Sequence, residues 1–358
     1  MSDRGDSTGT VAVVTEAVGL VKHYPISESI SSRLTRRPKR KVHALNGVDL
    51  KVHSGETVGV IGESGSGKST LGRLLLRLEV PTEGQVHFEG IDLASLKGED
   101  LRRLRRNMGM VFQNPYSAVN RRRSALAVVR EPLEVHDIGT KSEQNLLALK
   151  ALDLAGLSRS VAQRRSSELS GGQLQRVAIA RAVVTKPRLI VADEPTASLD
   201  ISVRAQVINL FADLRAELGL ALVFISHDLG TVSYLADRSI VLYLGRVMET
   251  GRTAVIEREP LHPYTKALIA SIPIPDPHQR RQAPDRGEIP SAVTPPPGCS
   301  YHPRCPLARP RCRTETPPLE EKRPSRWAAC WEVPVMAPHE GGVLVGDPHA
   351  SPPAGRSR

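Results

Sequence analysis

Short apolar runs alternate with stretches of helical periodicity along the chain up to Gly251. A continuous apolar run is typical of a strand in a parallel sheet that is covered on both faces. Four runs predict such strands: Thr57–Ile61, Met108–Phe112, Leu189–Ala192 and Leu222–Ser226. Three stretches predict helices: Ser69–Leu78, Gly172–Val184 and Ser202–Leu218. This alternation predicts a parallel α/β sheet.

The distribution of proline divides the chain near Gly251. Of the 28 prolines, 7 precede this residue and 21 follow it. Proline lacks a backbone N–H and breaks helices. We therefore expect few long helices or strands in the C-terminal part.

Composition and charge limit the class of protein. Hydrophobic residues make up 40% of the chain and charged residues 24%, as in ordinary globular proteins. Lys and Arg number 49 against 38 Asp and Glu, and this net charge of +11 suits nucleic acid, an anionic membrane surface or phosphorylated small molecules. Aromatic residues are only 3%, which argues against a stacking platform for single-stranded nucleic acid.

Neither a membrane span nor a leader is expected. No apolar run approaches the roughly 20 residues that cross a bilayer, and the polar segment Met1–Thr10 lacks the apolar stretch of a secretory signal. We therefore expect a cytoplasmic chain. Two basic clusters, Arg33–Lys41 and Arg121–Arg123, are interpreted mainly as solvated surface, with attraction to anionic lipid headgroups as the alternative.

A glycine-rich loop follows the first predicted strand and opens the first predicted helix. Its sequence fits the phosphate-binding loop pattern: Gly62, Glu63, Ser64, Gly65, Ser66, Gly67, Lys68 and Ser69, followed by Thr70. Glycines let backbone N–H groups wrap an anion, and the helix N-terminus adds partial positive charge. Lys68 is expected to reach the β- and γ-phosphates, and the Ser69 hydroxyl to hold Mg²⁺.

Two further segments carry candidate chemistry. The strand Leu189–Ala192 is followed by two carboxylates, where Asp193 would join the Mg²⁺ shell and Glu194 would orient and deprotonate the attacking water. The sequence Leu169-Ser170-Gly171-Gly172-Gln173 predicts a capped helix start at Ser170, whose positive end could face a second anion. On its own, that pentapeptide would be an ordinary helix cap.

Together these residues resemble the ATP-binding cassette of ABC transporters over roughly residues 15 to 250. The family's signature sequence matches five consecutive residues: Leu169, Ser170, Gly171, Gly172 and Gln173. Further matches are Gln113 for the Q-loop, Ser198-Leu199-Asp200 for the D-loop, His227 for the switch histidine and Tyr24 for the aromatic that stacks on adenine. All of these motifs occur in the family's order.

The resemblance implies a P-loop NTPase fold with a parallel-sheet core, an antiparallel β subdomain and a helical signature subdomain. The predicted divisions are a disordered N-terminus (1–14), the cassette (15–252, helical part about 114–185), an extension (253–335) and a disordered tail (336–358). It also implies head-to-tail dimers that sandwich ATP, so that Ser170 and Gly172 serve the partner's nucleotide while Lys68 and Glu194 serve this chain's own. His227 would contact the γ-phosphate, and Gln113 would link Mg²⁺ to the membrane subunits.

The C-terminal extension resembles that of the oligopeptide/dipeptide (and nickel) importer ATPases. The resemblance rests on His262–Thr265, Gly287–Ser291 and Gly298–Pro306, and residues 193–206 look most like the F-type paralogue. One departure is Asn120-Arg-Arg-Arg, where the family usually continues Asn-Pro-Arg. The resemblance implies a peripheral ATPase on the cytoplasmic face of the bacterial membrane that powers peptide uptake. Its implied partners are a paralogous ATP-binding subunit, two transmembrane permease subunits and an extracytoplasmic peptide-binding protein.

All four cysteines lie in this extension, within 32 residues: Cys299, Cys305, Cys312 and Cys330. In a cytoplasmic chain such clustering favours a four-thiolate site for Zn²⁺ or an iron–sulfur cluster. There is no Cys-x-x-Cys pair, which argues against a zinc ribbon. The resemblance implies a [4Fe–4S] cluster bound by these cysteines, and four free thiols are the alternative.

Other functions remain open at this point. A soluble ABC ATPase acting on nucleic acid or the ribosome would suit the basic charge, but such proteins usually carry two cassettes or a long coiled coil. We therefore expect no nucleic-acid partner. Import of nickel chelates or glutathione, rather than peptides, stays an alternative, as does a homodimer.

Overall fold

The structure is a computed structural model that describes residues 12–26, 40–271 and 287–336. The strands are β1 (Val13–Pro25), β2 (Lys41–His53), β3 (Thr57–Ile61), β4 (Glu83–Phe88), β5 (Ile91–Asp92), β6 (Met108–Val111), β7 (Leu189–Asp193), β8 (Ala221–Ser226), β9 (Arg238–Tyr243), β10 (Arg246–Arg252), β11 (Glu320–Arg323) and β12 (Arg326–Ala328). The helices are α1 (Lys68–Leu75), α2 (Gly98–Arg105), α3 (Pro115–Ala118), α4 (Ala125–Val135), α5 (Lys141–Leu154), α6 (Arg159–Ala162), α7 (Gly171–Val183), α8 (Ile201–Leu218), α9 (Leu229–Leu235), α10 (Thr253–Arg258), α11 (Pro263–Ala270) and α12 (Pro310–Thr314). Short 3-10 turns lie at Leu93–Ser95, Ser166–Glu168 and His302–Arg304.

The strands of the described ranges form two sheets. The larger has the order β11-β12-β10-β9-β3-β8-β7-β6, and its strands β9, β3, β8, β7 and β6 run parallel. The smaller is antiparallel, with the order β2-β1-β4-β5. The predicted parallel core and antiparallel β subdomain are both confirmed.

The central strands are buried on both faces, as their continuous apolar runs predict. In β8, Leu222 and Phe224 pack into the cluster on the side of α7 and α8, whereas Val223 and Ile225 pack into the cluster on the side of α1 and the small sheet. Alternating side chains of a strand point to opposite faces. One strand therefore contributes to two hydrophobic layers, and the carboxyl ends of β3, β7 and β8 are held at one edge.

Helices α3 to α7 lie between β6 and β7 and form the region predicted at about 114–185. Helix α5 begins with a capping box, in which Thr140 and Glu143 satisfy each other's backbone N–H groups. Of the basic cluster Arg121–Arg123, Arg123 pairs with Glu131 and Glu134. Part of that cluster is therefore held in ion pairs on the surface of the protein.

The C-terminal extension adds two strands to the large sheet, which the sequence did not predict. Strand β12 pairs antiparallel with β10, and β11 pairs with β12. Strand β11 is four residues long and entirely charged, Glu320–Arg323, so it lacks the apolar pattern that marks a strand. The extension is thus continuous with the sheet of the cassette.

Strand β1 lies close to the N-terminal end of the described ranges. Strand β1 begins at Val13, two residues inside the segment predicted to be disordered. Residues 1–11, 27–39 and 337–358 lie outside the described ranges. These residues include most of both predicted disordered termini and most of the basic cluster Arg33–Lys41.

Within the described ranges, every helix is too short or too polar to traverse a lipid bilayer.

Candidate active site

The phosphate-loop candidate is a tight turn that joins β3 to α1. Gly67 has φ +104°, and a Cβ placed there would lie 2.4 Å from the Ala44 carbonyl oxygen. Only glycine fits this left-handed, crowded position. The Lys68 ammonium donates hydrogen bonds to the carbonyls of Gly62 at 2.7 Å and Glu63 at 2.9 Å. Lys68 thus holds the two ends of its own loop together.

The carboxylate of Asp193, the last residue of β7, lies beside the start of α1. The Ser69 hydroxyl donates to Asp193 Oδ1 at 2.9 Å. Burial raises the pKa of Asp193, and burial lowers the pKa of Lys68. Mg²⁺ is commonly bound by one or two carboxylates together with substrate phosphates. The hydroxyl of Ser69 and the carboxylate of Asp193 are donors of the kind that fit this ion.

Glu194 is oriented by side chains from two other strand ends. Gln113 Nε2 donates to Glu194 Oε2 at 3.0 Å, and His227 Nδ1 lies 3.3 Å from the same oxygen. Lys68 Nζ is 4.0 Å from Glu194 Oε1. Glu194 itself has φ +43°, a strained conformation for a residue with a Cβ. Its N–H is fixed by the Ile225 carbonyl at 2.9 Å.

A cleft of about 660 Å³ brings Lys68, Ser69 and Glu194 together, whereas Gly62 and Asp193 lie outside its lining. Its lining comprises Tyr24, Val42, Ala44, Ser64, Gly65, Ser66, Gly67, Lys68, Ser69, Thr70, Gln113, Glu194 and His227. More than half of the predicted nucleotide-site residues therefore meet at this cleft. Val42 and Ala44 are additional lining residues that sequence reasoning missed, since apolar β-strand residues carry no motif.

Tyr24 lies at this cleft with its hydroxyl already engaged. The hydroxyl donates to the Glu79 carboxylate, and Lys22 Nζ lies 4.9 Å from the ring centroid. Burial, followed by the Glu79 contact, raises the pKa of Tyr24. The ring thus stays a neutral aromatic surface beside the phosphate loop.

The predicted signature segment lies elsewhere. Ser170 caps α7, accepting from the Gln173 N–H at 3.3 Å, while the Gln173 side chain accepts from the Ser170 N–H at 3.2 Å. A Cβ on Gly172 would lie 2.5 Å from Val203 Cγ1, so α7 and α8 approach closely there. Asp200 precedes α8 without a side-chain cap bond. Residues 170–173 and Asp200 are absent from the lining of the cleft that holds Lys68.

Glu63, another predicted site residue, directs its side chain toward the C-terminal extension. It does not line the cleft among the described residues. Its carboxylate instead forms two hydrogen bonds with Arg304 of the extension, at 2.7 and 3.0 Å. The two residues are 241 positions apart in sequence, and no motif spacing links them.

The four cysteines converge, as their clustering predicts. They line one cavity of about 10 Å³, which is room for one water molecule at most. Burial, with the other thiols contributing, raises the pKa of Cys299 to about 11. Within the described ranges, no three His, Cys, Asp or Glu side chains are arranged to hold a metal ion. The thiols are ligands of the type that binds iron or zinc, but the cavity that they line would have to widen to hold a [4Fe–4S] cluster.

Comparison with known proteins relates this geometry to a family. The ABC transporter family profile matches residues 45–197, and the profile for the C-terminal region of oligopeptide/dipeptide transporters matches residues 248–312. A probable peptide ABC transporter ATP-binding protein of Sinorhizobium fredii is 48% identical over 89% of this chain and 90% of its own length. The chain belongs to the ABC transporter family. It is the ATP-hydrolysing subunit of such a transporter.

Further relatives agree with this assignment. The oligopeptide transport ATP-binding protein AppF of Bacillus subtilis is 44% identical over 86% of this chain and 94% of its own length. The dimeric, ADP- and phosphate-bound structure of the cassette MJ0796 is 33% identical, with a TM-score of 0.59, over 67% of this chain and 98% of that one. The cbiO1 structure from Clostridium perfringens, part of an ABC transporter complex, is 26% identical with the same TM-score over 69% of this chain and 92% of that one. The ABC cassette fold predicted from the motifs is confirmed.

Proposed function

We propose that this ABC ATPase powers the uptake of peptides, hydrolysing MgATP at the cleft described above. The observation that carries the catalytic part is the meeting of Glu194, Gln113 and His227 beside Lys68. Peptide as the substrate class is supported by the match over residues 248–312 and by relatives whose names specify peptide transport.

The proposed reaction uses the chain's own groups in distinct roles. Backbone N–H groups of the loop and the Lys68 ammonium bind the phosphates, and the Ser69 hydroxyl and Asp193 would hold Mg²⁺, which stabilises charge on the phosphates when bound. The Glu194 carboxylate accepts a proton from the attacking water. Gln113 and His227 fix the Glu194 oxygen, so the base is oriented before the nucleotide arrives.

The signature segment is proposed to act on a second subunit. Ser170 and Gly172 lie at the N-terminus of α7, a 13-residue helix whose positive end can stabilise phosphate charge. Neither residue lines this chain's own cleft. We therefore infer that they contact the nucleotide that is bound to a partner cassette. The MJ0796 cassette, similar in fold, is dimeric. Isolation of the complex identifies this partner. It is either a paralogue, as the F-type resemblance implies, or an identical chain.

The remaining partners belong to the same proposal. An importer ATPase works beneath two transmembrane permease subunits on the cytoplasmic face of the membrane and receives peptide from an extracytoplasmic binding protein. The basic surface of the chain, with a net charge of +11, suits a position near anionic headgroups.

Uptake of labelled peptide in cells tests the proposal. Cells that carry Lys68→Ala or Glu194→Gln in place of the native chain are expected to lose this uptake, because neither variant can complete the ATPase cycle. Uptake restored by the native chain is the control. Unimpaired peptide uptake in both variants would refute the proposed substrate class or its dependence on this subunit.

A metal bound by the four cysteines is a separate proposal. The convergence of four thiols in one cavity supports it, although that cavity would have to widen. Protein purified without oxygen is expected to show the visible absorbance of an iron–sulfur cluster and bound iron, and a Cys305→Ser, Cys312→Ser double variant is expected to lose both. If the native chain shows neither this absorbance nor bound iron or zinc, the proposal is wrong and the four cysteines are free thiols.

A further inference from the structure

The C-terminal extension contacts the phosphate loop through an ion pair between Arg304 and Glu63. Arg304 Nη1 lies 2.7 Å from Glu63 Oε2, and Arg304 Nη2 lies 3.0 Å from Glu63 Oε1. The Arg304 side chain is 4% exposed and that of Glu63 is 16% exposed. A bidentate pair shielded from water is stronger and more directional than a surface ion pair. It joins a 3-10 turn of the extension to the second residue of the loop.

The backbone of Glu63 is held from both sides. Its N–H donates to the Tyr264 hydroxyl at 2.9 Å, and its carbonyl accepts from Lys68 Nζ at 2.9 Å. Tyr264 belongs to α11, which precedes the extension's cysteine-containing part. One residue of the loop therefore contacts Lys68 on one side and two residues beyond the cassette core on the other.

Arg304 is fixed by aromatic packing. Its Nη1 lies 3.1 Å from the Tyr243 hydroxyl, and its guanidinium lies 5.6 Å from the ring centroid of Tyr243 and 5.8 Å from that of Tyr301. The rings of Tyr243, Tyr264 and Tyr301 are buried and lie 4.6 to 5.3 Å apart. Such a cluster restricts the arginine to one geometry before any ligand binds.

The charge of Glu63 explains why the loop needs this arginine. A carboxylate within an anion-binding loop opposes the phosphates and competes with them for Lys68. Arg304 neutralises it and turns it away from the cleft, whose lining includes Ser64 through Thr70. We propose that Arg304 is a positioning residue for ATP binding, which acts through Glu63 to keep Lys68 available to phosphate. The extension is then part of the nucleotide site.

The inference rests on the proposed MgATP site, and equilibrium binding of MgATP to the full-length chain tests it. Arg304→Met is expected to weaken MgATP binding by about 10-fold or more. This is the change in affinity that corresponds to losing a hydrogen bond to a charged group. The double variant Glu63→Gln, Arg304→Met removes both charges and is expected to regain most of the affinity. Arg309→Ala, an exposed arginine of the same extension, is the matched control and is expected to bind as the native chain does.

The outcomes are distinguishable. Native affinity in Arg304→Met, or a double variant as weak as the single one, would overturn the inference, because the effect would then be absent or due to packing. If Arg304→Met fails to fold, Arg304→Lys replaces it. That variant keeps one positive charge without the bidentate geometry and is expected to bind with intermediate affinity, so native affinity there would likewise overturn the inference. Failure of the native chain itself to bind MgATP would instead refute the proposed site.

Discussion

Glu194→Gln is expected to lower steady-state ATP hydrolysis by about 10²- to 10⁴-fold, the usual contribution of a positioned general base. An amide can still accept hydrogen bonds from Gln113 and His227, which lie 3.0 and 3.3 Å from Glu194 Oε2 in the native chain. It cannot take the proton of water. MgATP binding is therefore expected to remain, and the variant should accumulate with bound, unhydrolysed nucleotide.

The measurement is phosphate release by the purified protein, with nucleotide binding measured in parallel. Glu217→Gln is the matched control, since Glu217 is exposed near the end of α8 and is not part of the cleft lining. It is expected to hydrolyse ATP at the native rate. A Glu194→Gln variant that keeps more than about a tenth of the native rate would assign the base to another group.

Lys68→Ala is expected to reduce MgATP affinity by roughly 10- to 100-fold, the range for losing hydrogen bonds to a charged group. The ammonium holds the carbonyls of Gly62 and Glu63 and is 5% exposed. Its loss removes a cation that lies close to Asp193 and Glu194, and both carboxylates then repel the phosphates more strongly. Alanine favours a helix, so α1 is expected to persist.

Calorimetric titration with MgATP measures this loss, and thermal unfolding without nucleotide shows whether the fold is retained. Lys150→Ala on the exposed side of α5 is the control and is expected to bind as the native chain does. Native affinity in Lys68→Ala would mean that the loop binds phosphate through its backbone alone.

The sequence predicts an element correctly where a local residue pattern has a single structural cause. The apolar runs of β3, β7 and β8 are continuous because those strands are buried on both faces. The phosphate loop could be predicted because its glycines are structurally required. At position 67, for example, only glycine fits against the Ala44 carbonyl. Asp193 ends β7 and Glu194 follows it, so the position of both carboxylates at the sheet edge follows from the strand itself.

The failures have a common cause, which is contact between distant segments. Strand β11 pairs through its backbone, so its charged side chains gave no signal. The contact between Glu63 and Arg304 joins residues 241 positions apart, so no local sequence pattern indicated it. The cysteines were correctly grouped by proximity in sequence, yet their spacing could not give the size of the cavity that they share.

The most direct test of the central claim is ATP hydrolysis by the whole transporter, purified with the permease and binding-protein partners proposed above in a lipid bilayer. The account predicts that adding peptide-loaded binding protein raises the hydrolysis rate, and that Glu194→Gln in this chain lowers the stimulated rate sharply. Glu217→Gln should leave it unchanged. An ATPase rate that is indifferent to peptide, or one that survives Glu194→Gln, would contradict the account.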